Sequence, residues 1–109
     1  WEFQADWFMA SLNIGGTSEG TYFYTDSIIA TDTINQLGIP YNQEGEKYYL
    51  FIDLEGNLID FYEQDPLVDY IIEFEGYFST FDSLYMYREW AYDGFAAWGY
   101  TEFTATRIN

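Results

Sequence analysis

The chain contains no histidine and no cysteine, and it carries a single lysine. Each absence closes a route. Without imidazole there is no common general base, no triad built on histidine and no histidine ligand for a transition metal. Without a thiol there is no disulfide, no thiolate metal centre and no cysteine nucleophile, while the redox compartment stays open because cytosolic and secreted proteins can both lack cysteine. Gly15-Gly16 lacks the Lys and Ser/Thr of a P-loop and the spacing of a dinucleotide fingerprint. Paired carboxylates remain able to hydrolyse a glycosidic bond beside aromatic platforms. With 19 acidic residues, however, a pair at a suitable separation arises by chance. The expectation is a non-enzymatic chain that needs no cofactor.

Long apolar runs are missing too. None approaches the roughly 20 residues that span a bilayer, so no membrane span is expected, and no signal peptide is visible. The sequence opens on Trp1 rather than Met. A removed targeting segment would fit that start, which is the argument for an extracellular location; without it the localisation is open.

Acid dominates what is present. Lys47, Arg88 and Arg107 oppose the 19 acids, leaving a formal net charge of −16. A chain this charged would be disordered if it were poor in apolar residues, but hydrophobic residues reach 49% and aromatics 24%. It should fold, and 109 residues fit one domain spanning 1–109. Adaptation to high salt, a cation-binding surface and imitation of a polyanion could each explain the acidity. Salt-adapted chains trim large apolar residues, whereas this one is rich in Ile, Phe and Tyr. Nucleic acid and anionic membrane are poor direct partners, since both call for a basic patch.

Local patterning gives an α+β fold: a small antiparallel sheet with one or two short helices, or an all-β sheet or barrel if the helices fail. Residues 3–14 read as a strand closed by Gly15-Gly16, and 21–25 as a second. Asp26 or Ser27 can cap a helix that carries Ala30, Ile34 and Leu37 on one face and stops at Gly38, although its β-branched residues also suit a strand. Residues 47–63 read as a hairpin turning at Glu55-Gly56-Asn57. A two-residue loop there puts Leu50, Ile52 and Leu54 on the core face with Ile59 and Phe61, and Tyr49, Phe51, Asp53, Asp60 and Tyr62 opposite. Asp65-Pro66 and Gly76 bracket a second possible helix over 66–75, where alternation fits a strand equally well. Two last strands follow from Leu84, parted near Asp93-Gly94. Phe8, Ile52, Phe61, Ile72, Trp90 and Trp98 are expected in the core.

About half of the acids lie between Glu44 and Glu75. As a helix, 66–75 would align Asp65, Asp69 and Glu73 at about 6 Å intervals; as a strand, Asp69, Glu73 and Glu75 would share a surface. That interval is close to the spacing of phosphates along a nucleic-acid strand, roughly 6 to 7 Å. The candidate binding row is Asp60, Glu63, Asp65, Asp69, Glu73 and Glu75, with Tyr49, Tyr62, Tyr85 and Tyr87 as aromatic anchors that stack on arginine. Any one of these acids or tyrosines alone is more simply a solvated or edge-packed residue. The set is not, because ordinary surfaces mix both signs. Asp53, Glu55 and Asn57 alternate oxygen ligands around a turn, a weak calcium pattern without the spacing of an EF-hand.

In size and charge the chain is similar to phage and mobile-element inhibitors of restriction enzymes, CRISPR effectors and DNA glycosylases. The likeness is one of strategy and carries no residue across. It implies an acidic nucleic-acid mimic occupying the basic groove of a DNA- or RNA-binding protein. The alternative is a secreted or surface β-rich structural subunit or ligand-binding module, for which self-association is a further expectation.

Overall fold

Alternation of buried and exposed side chains is clearest at the start of the strand Glu2–Ser11 and at the two ends of the strand Ala97–Thr106, and the structure follows from where it points. The computed structural model describes residues 1–11, 15–59, 70–92 and 96–108. Five long strands, β1 (Glu2–Ser11), β2 (Gly16–Thr25), β7 (Tyr70–Thr80), β8 (Ser83–Tyr92) and β9 (Ala97–Thr106), form one antiparallel sheet in the order β2-β1-β9-β8-β7. The shorter β3 (Ile29–Ala30), β4 (Gln36–Pro40), β5 (Lys47–Ile52) and β6 (Leu58–Ile59) form a second antiparallel sheet in chain order. Among the described residues there is no helix, so the fold is all-β and the α+β expectation is corrected.

The small sheet closes over one end of the large one. At β7, Phe78 N–H donates to Gly56 O at 3.0 Å, and Asn57 bridges to Tyr77. Gly76, expected to stop a helix, instead lies inside β7, where an added Cβ would meet Leu58 of the small sheet at 3.2 Å. At β2, the Tyr22 hydroxyl donates to Tyr41 O at 2.7 Å and the Tyr24 hydroxyl to Pro40 O at 2.8 Å. Burial pushes the Tyr24 phenol up, so it stays a donor. Phe3, Ala5, Tyr24, Leu84, Met86, Phe103 and Ala105 from the large sheet meet Ile39, Leu50 and Leu58 from the small one in a shared core. Phe3 and Tyr24 stack with centroids 4.7 Å apart.

Two expectations fail locally, and one left open between helix and strand is decided for its described part. The helix placed after Asp26 is β3 and β4 joined by a turn: Asn35 takes a left-handed φ of 60° and Gln36 N–H bonds back to Thr33 O at 3.2 Å. Ile28, Ile29, Thr31, Thr33 and Ile34 crowd a helix at χ1 and favour extended backbone. The hairpin exists, but its loop is longer than two residues. The Asp53 carboxylate accepts from the Glu55 and Asn57 amides at 2.8 and 2.9 Å, and Gly56 supplies a φ of 86°. Phe51 therefore pairs with Ile59 and Ile52 with Leu58. A one-residue change of register exchanges faces: Leu58 is buried, while Ile59 and Leu54 are exposed. The possible helix over 66–75 is strand from Tyr70 onward, and its earlier residues lie outside those described. Of the expected core residues, Trp98 is exposed at 38%, and Phe8, Ile52 and Trp90 are half-buried. Phe61 and the Ile72 side chain lie outside the described set.

Truncating Phe103, which is fully buried, is expected to lower stability by about 3–5 kcal/mol in denaturant unfolding. Phe23→Ala, at 65% exposure, should stay within about 0.5 kcal/mol. Equal losses for the two would place the core elsewhere.

Candidate protein-binding face

β1, β2, β8 and β9 pair over ten residues each without a shift. Directly opposed residues share a face, so the register assembles rows across strands. One row of the outward face reads Glu75, Tyr87, Glu102, Asp6, Thr21; the next reads Glu73, Glu89, Tyr100, Phe8, Glu19. Tyr77, Tyr85, Thr104, Gln4 and Phe23 follow on the other side of the first. Neighbouring strands are about 4.8 Å apart, so six carboxylates and a band of rings occupy one sheet surface.

The rings are continuous. Tyr87 stacks on Tyr100 at 5.7 Å, Tyr100 on Phe8 at 5.6 Å, and Phe8 tilts against Trp98 at 5.5 Å. Tyrosine hydroxyls and carboxylates interlock: Tyr85 donates to Glu102 Oε2 at 3.0 Å, Tyr87 to Glu89 Oε1 at 3.4 Å, and Thr21 Oγ1 to Asp6 Oδ1 at 2.5 Å. Burial, then the Glu102 hydrogen bond, then the charges of Glu102 and Glu75 push the Tyr85 phenol up to about 12. Burial and the charges of Glu89 and Glu73 raise Tyr87 as well. Both therefore remain protonated donors at neutral pH.

The chain's three cations lie elsewhere. Lys47 pairs with Asp26 at 3.8 Å, and Arg107 with Asp82 at 3.6 Å beside the Trp1 ring. Arg88 is 3% exposed on the inward face, donating to the Tyr48 hydroxyl at 3.3 Å with its guanidinium 4.6 Å over that ring. The acidic face thus has no basic residue of its own.

Of the residues expected from the sequence, Glu73, Glu75, Tyr85 and Tyr87 are brought together here. Tyr49 is not: it is exposed on the small sheet, beside Gly38. Asp60, Tyr62, Glu63, Asp65 and Asp69 lie outside the described residues. Asp6, Glu19, Glu89, Glu102, Phe8, Tyr100 and Trp98 were missed, although Asp6/Phe8, Tyr87/Glu89 and Tyr100/Glu102 each repeat the two-residue period that marks one face. At the weak calcium pattern, donation from the Asn57 and Glu55 amides holds the Asp53 carboxyl below the usual range. That carboxylate is occupied by its own loop. Among the described residues no three His, Cys, Asp or Glu side chains converge to hold a metal, and no helix is long and apolar enough to cross a membrane.

No family model matches the chain, and neither a curated protein nor a solved structure matches it.

Two outcomes are expected. Glu73 and Glu89 oppose each other directly, so Glu89→Gln, which keeps the acceptor for Tyr87, should stabilise the fold by about 0.5 kcal/mol at low salt and less at high salt. The raised Tyr85 phenol contributes stability that is present below its ordinary value of 10 and is lost as pH climbs toward about 12. Unfolding measured across that window should fall less steeply in Tyr85→Phe than in the parent.

Proposed function

We propose that this is a non-enzymatic protein-binding domain whose acidic, ring-bearing sheet face occupies the basic groove of a DNA- or RNA-binding protein, in the manner of an anti-defence nucleic-acid mimic. The observation that supports this is the pair of rows Glu75-Tyr87-Glu102-Asp6 and Glu73-Glu89-Tyr100-Phe8-Glu19 on one surface, with every Lys and Arg of the chain elsewhere. Carboxylates steer the encounter with a basic surface and suppress wrong partners. Half-buried Tyr87, Tyr100 and Phe8 offer flat rings on which guanidinium groups stack. The charge row runs across strands rather than along one segment, so the spacing a partner meets is set by the interstrand distance.

A second reading is favoured by the ring band ending at exposed Trp98. Planar rings beside hydrogen-bonding carboxylates also suit a sugar, as in a ligand-binding module of a β-rich surface protein.

Immobilised protein, incubated with lysate at low and at high salt, separates the two. Capture of a basic nucleic-acid-binding protein, lost as salt rises and reduced about tenfold or more in association rate by Glu73→Lys with Glu75→Lys, is the expected result. Salt-independent binding of a glycan to the Trp98 end would favour the second reading, and absence of any salt-sensitive partner would sink the first.

A further inference from the structure

The two edges of the large sheet are treated differently. The β7 edge is covered at Tyr77 and Phe78 by the small sheet, and its register shifts at Ile71/Glu73 and at Phe78/Thr80. Such irregularities twist an edge away from new pairing. β2 pairs with β1 along its whole length without a shift, and among the described residues no strand pairs with its other side. Among the described residues, cover reaches only its second half, where Gln43 Nε2 donates to Phe23 O at 3.1 Å and the Tyr22 and Tyr24 hydroxyls tie down the small sheet. Gly16 through Glu19 are exposed. This stretch, GTSEGT, holds no proline, no lysine and no bulge, the devices that protect natural edges.

Each side of that edge states what an added strand should carry. On the outward side Glu19 lies on β2 itself, and Asp6 sits one strand further in, opposite Thr21. On the inward side Gly20 has no side chain, and the Trp7 indole lies over it, 2.9 Å from where a Cβ would be. Side chains of an added strand alternate between these two environments. Cations would meet Glu19 and Asp6, and apolar groups would meet Trp7.

We propose that residues 16–21 of β2 receive an extended segment of the basic partner by strand addition, with Lys or Arg alternating with apolar residues. The inference rests on the reading of the outward face as a docking surface for a basic protein. Main-chain hydrogen bonds supply the grip, and the alternation supplies the choice of segment.

The test uses the full chain and a ten-residue synthetic peptide alternating Lys and Val. One control has the same composition in two blocks, and another carries N-methyl groups on alternate backbone nitrogens. The alternating peptide should slow amide exchange across residues 16–21, and both controls should bind about tenfold more weakly, the worth of one or two net hydrogen bonds. Glu19→Lys should weaken the alternating peptide about fivefold. Equal binding of alternating and block peptides without β2 protection would overturn strand addition and leave the charged-face reading standing. Shifts confined to Glu73, Glu75 and Glu89 would do the same. Failure of every peptide at low salt would overturn both readings. Concentration-dependent protection of 16–21 without peptide would name a second copy as the occupant and overturn the basic segment.

Discussion

An unbroken ten-residue register across β2, β1, β9 and β8 is the constraint on which the rest depends. With a side-chain period of two, a single slip in any of these ladders would carry its carboxylates inward and its core residues out. Phe3 and Ala5 point toward the small sheet because Gln4 and Asp6 point away, and Phe103 is buried because Glu102 is not. Core and charged face are therefore two readings of one pairing. The cost of misplacing even one unpaired carboxylate in the interior, several kcal/mol, acts as a guard on that register.

The same logic governs the few cations. In a chain of net charge −16, Lys47 and Arg107 each pair with one Asp away from the sheet face. Arg88 lies under the sheet, where it donates to the Tyr48 hydroxyl. The outward surface keeps directly opposed pairs such as Glu73 and Glu89, which a stability-only surface would separate or neutralise. Tyr85 and Tyr87 soften the arrangement by donating to neighbouring carboxylates, and burial, aided by those carboxylates, holds the phenols protonated.

Long strands were legible in the sequence, and most of the site was not. β1, β8 and β9 announce themselves by alternation, and Glu73, Glu75, Tyr85 and Tyr87, expected from charge and aromatic density, lie on one face of the large sheet. What escaped was pairing. Asp6 and Glu102 are far apart in the chain and adjacent in the sheet, and nothing local says that the first strand docks on the last. The two turn errors have local causes: Asn35 bends a segment whose caps resembled a helix, and the Asp53 carboxylate enlarges a loop that its Gly56 made look minimal. Gly76 misled because a glycine admitting a neighbouring side chain reads in one dimension like a glycine ending a helix.

The register itself can be measured by cross-strand proton contacts in solution. The account predicts backbone contacts from Glu102 to Tyr87 on one side and to Asp6 on the other, with Asp6 in turn reaching Thr21. Contacts displaced by one residue in any of these ladders would point the carboxylates at the core and contradict the account.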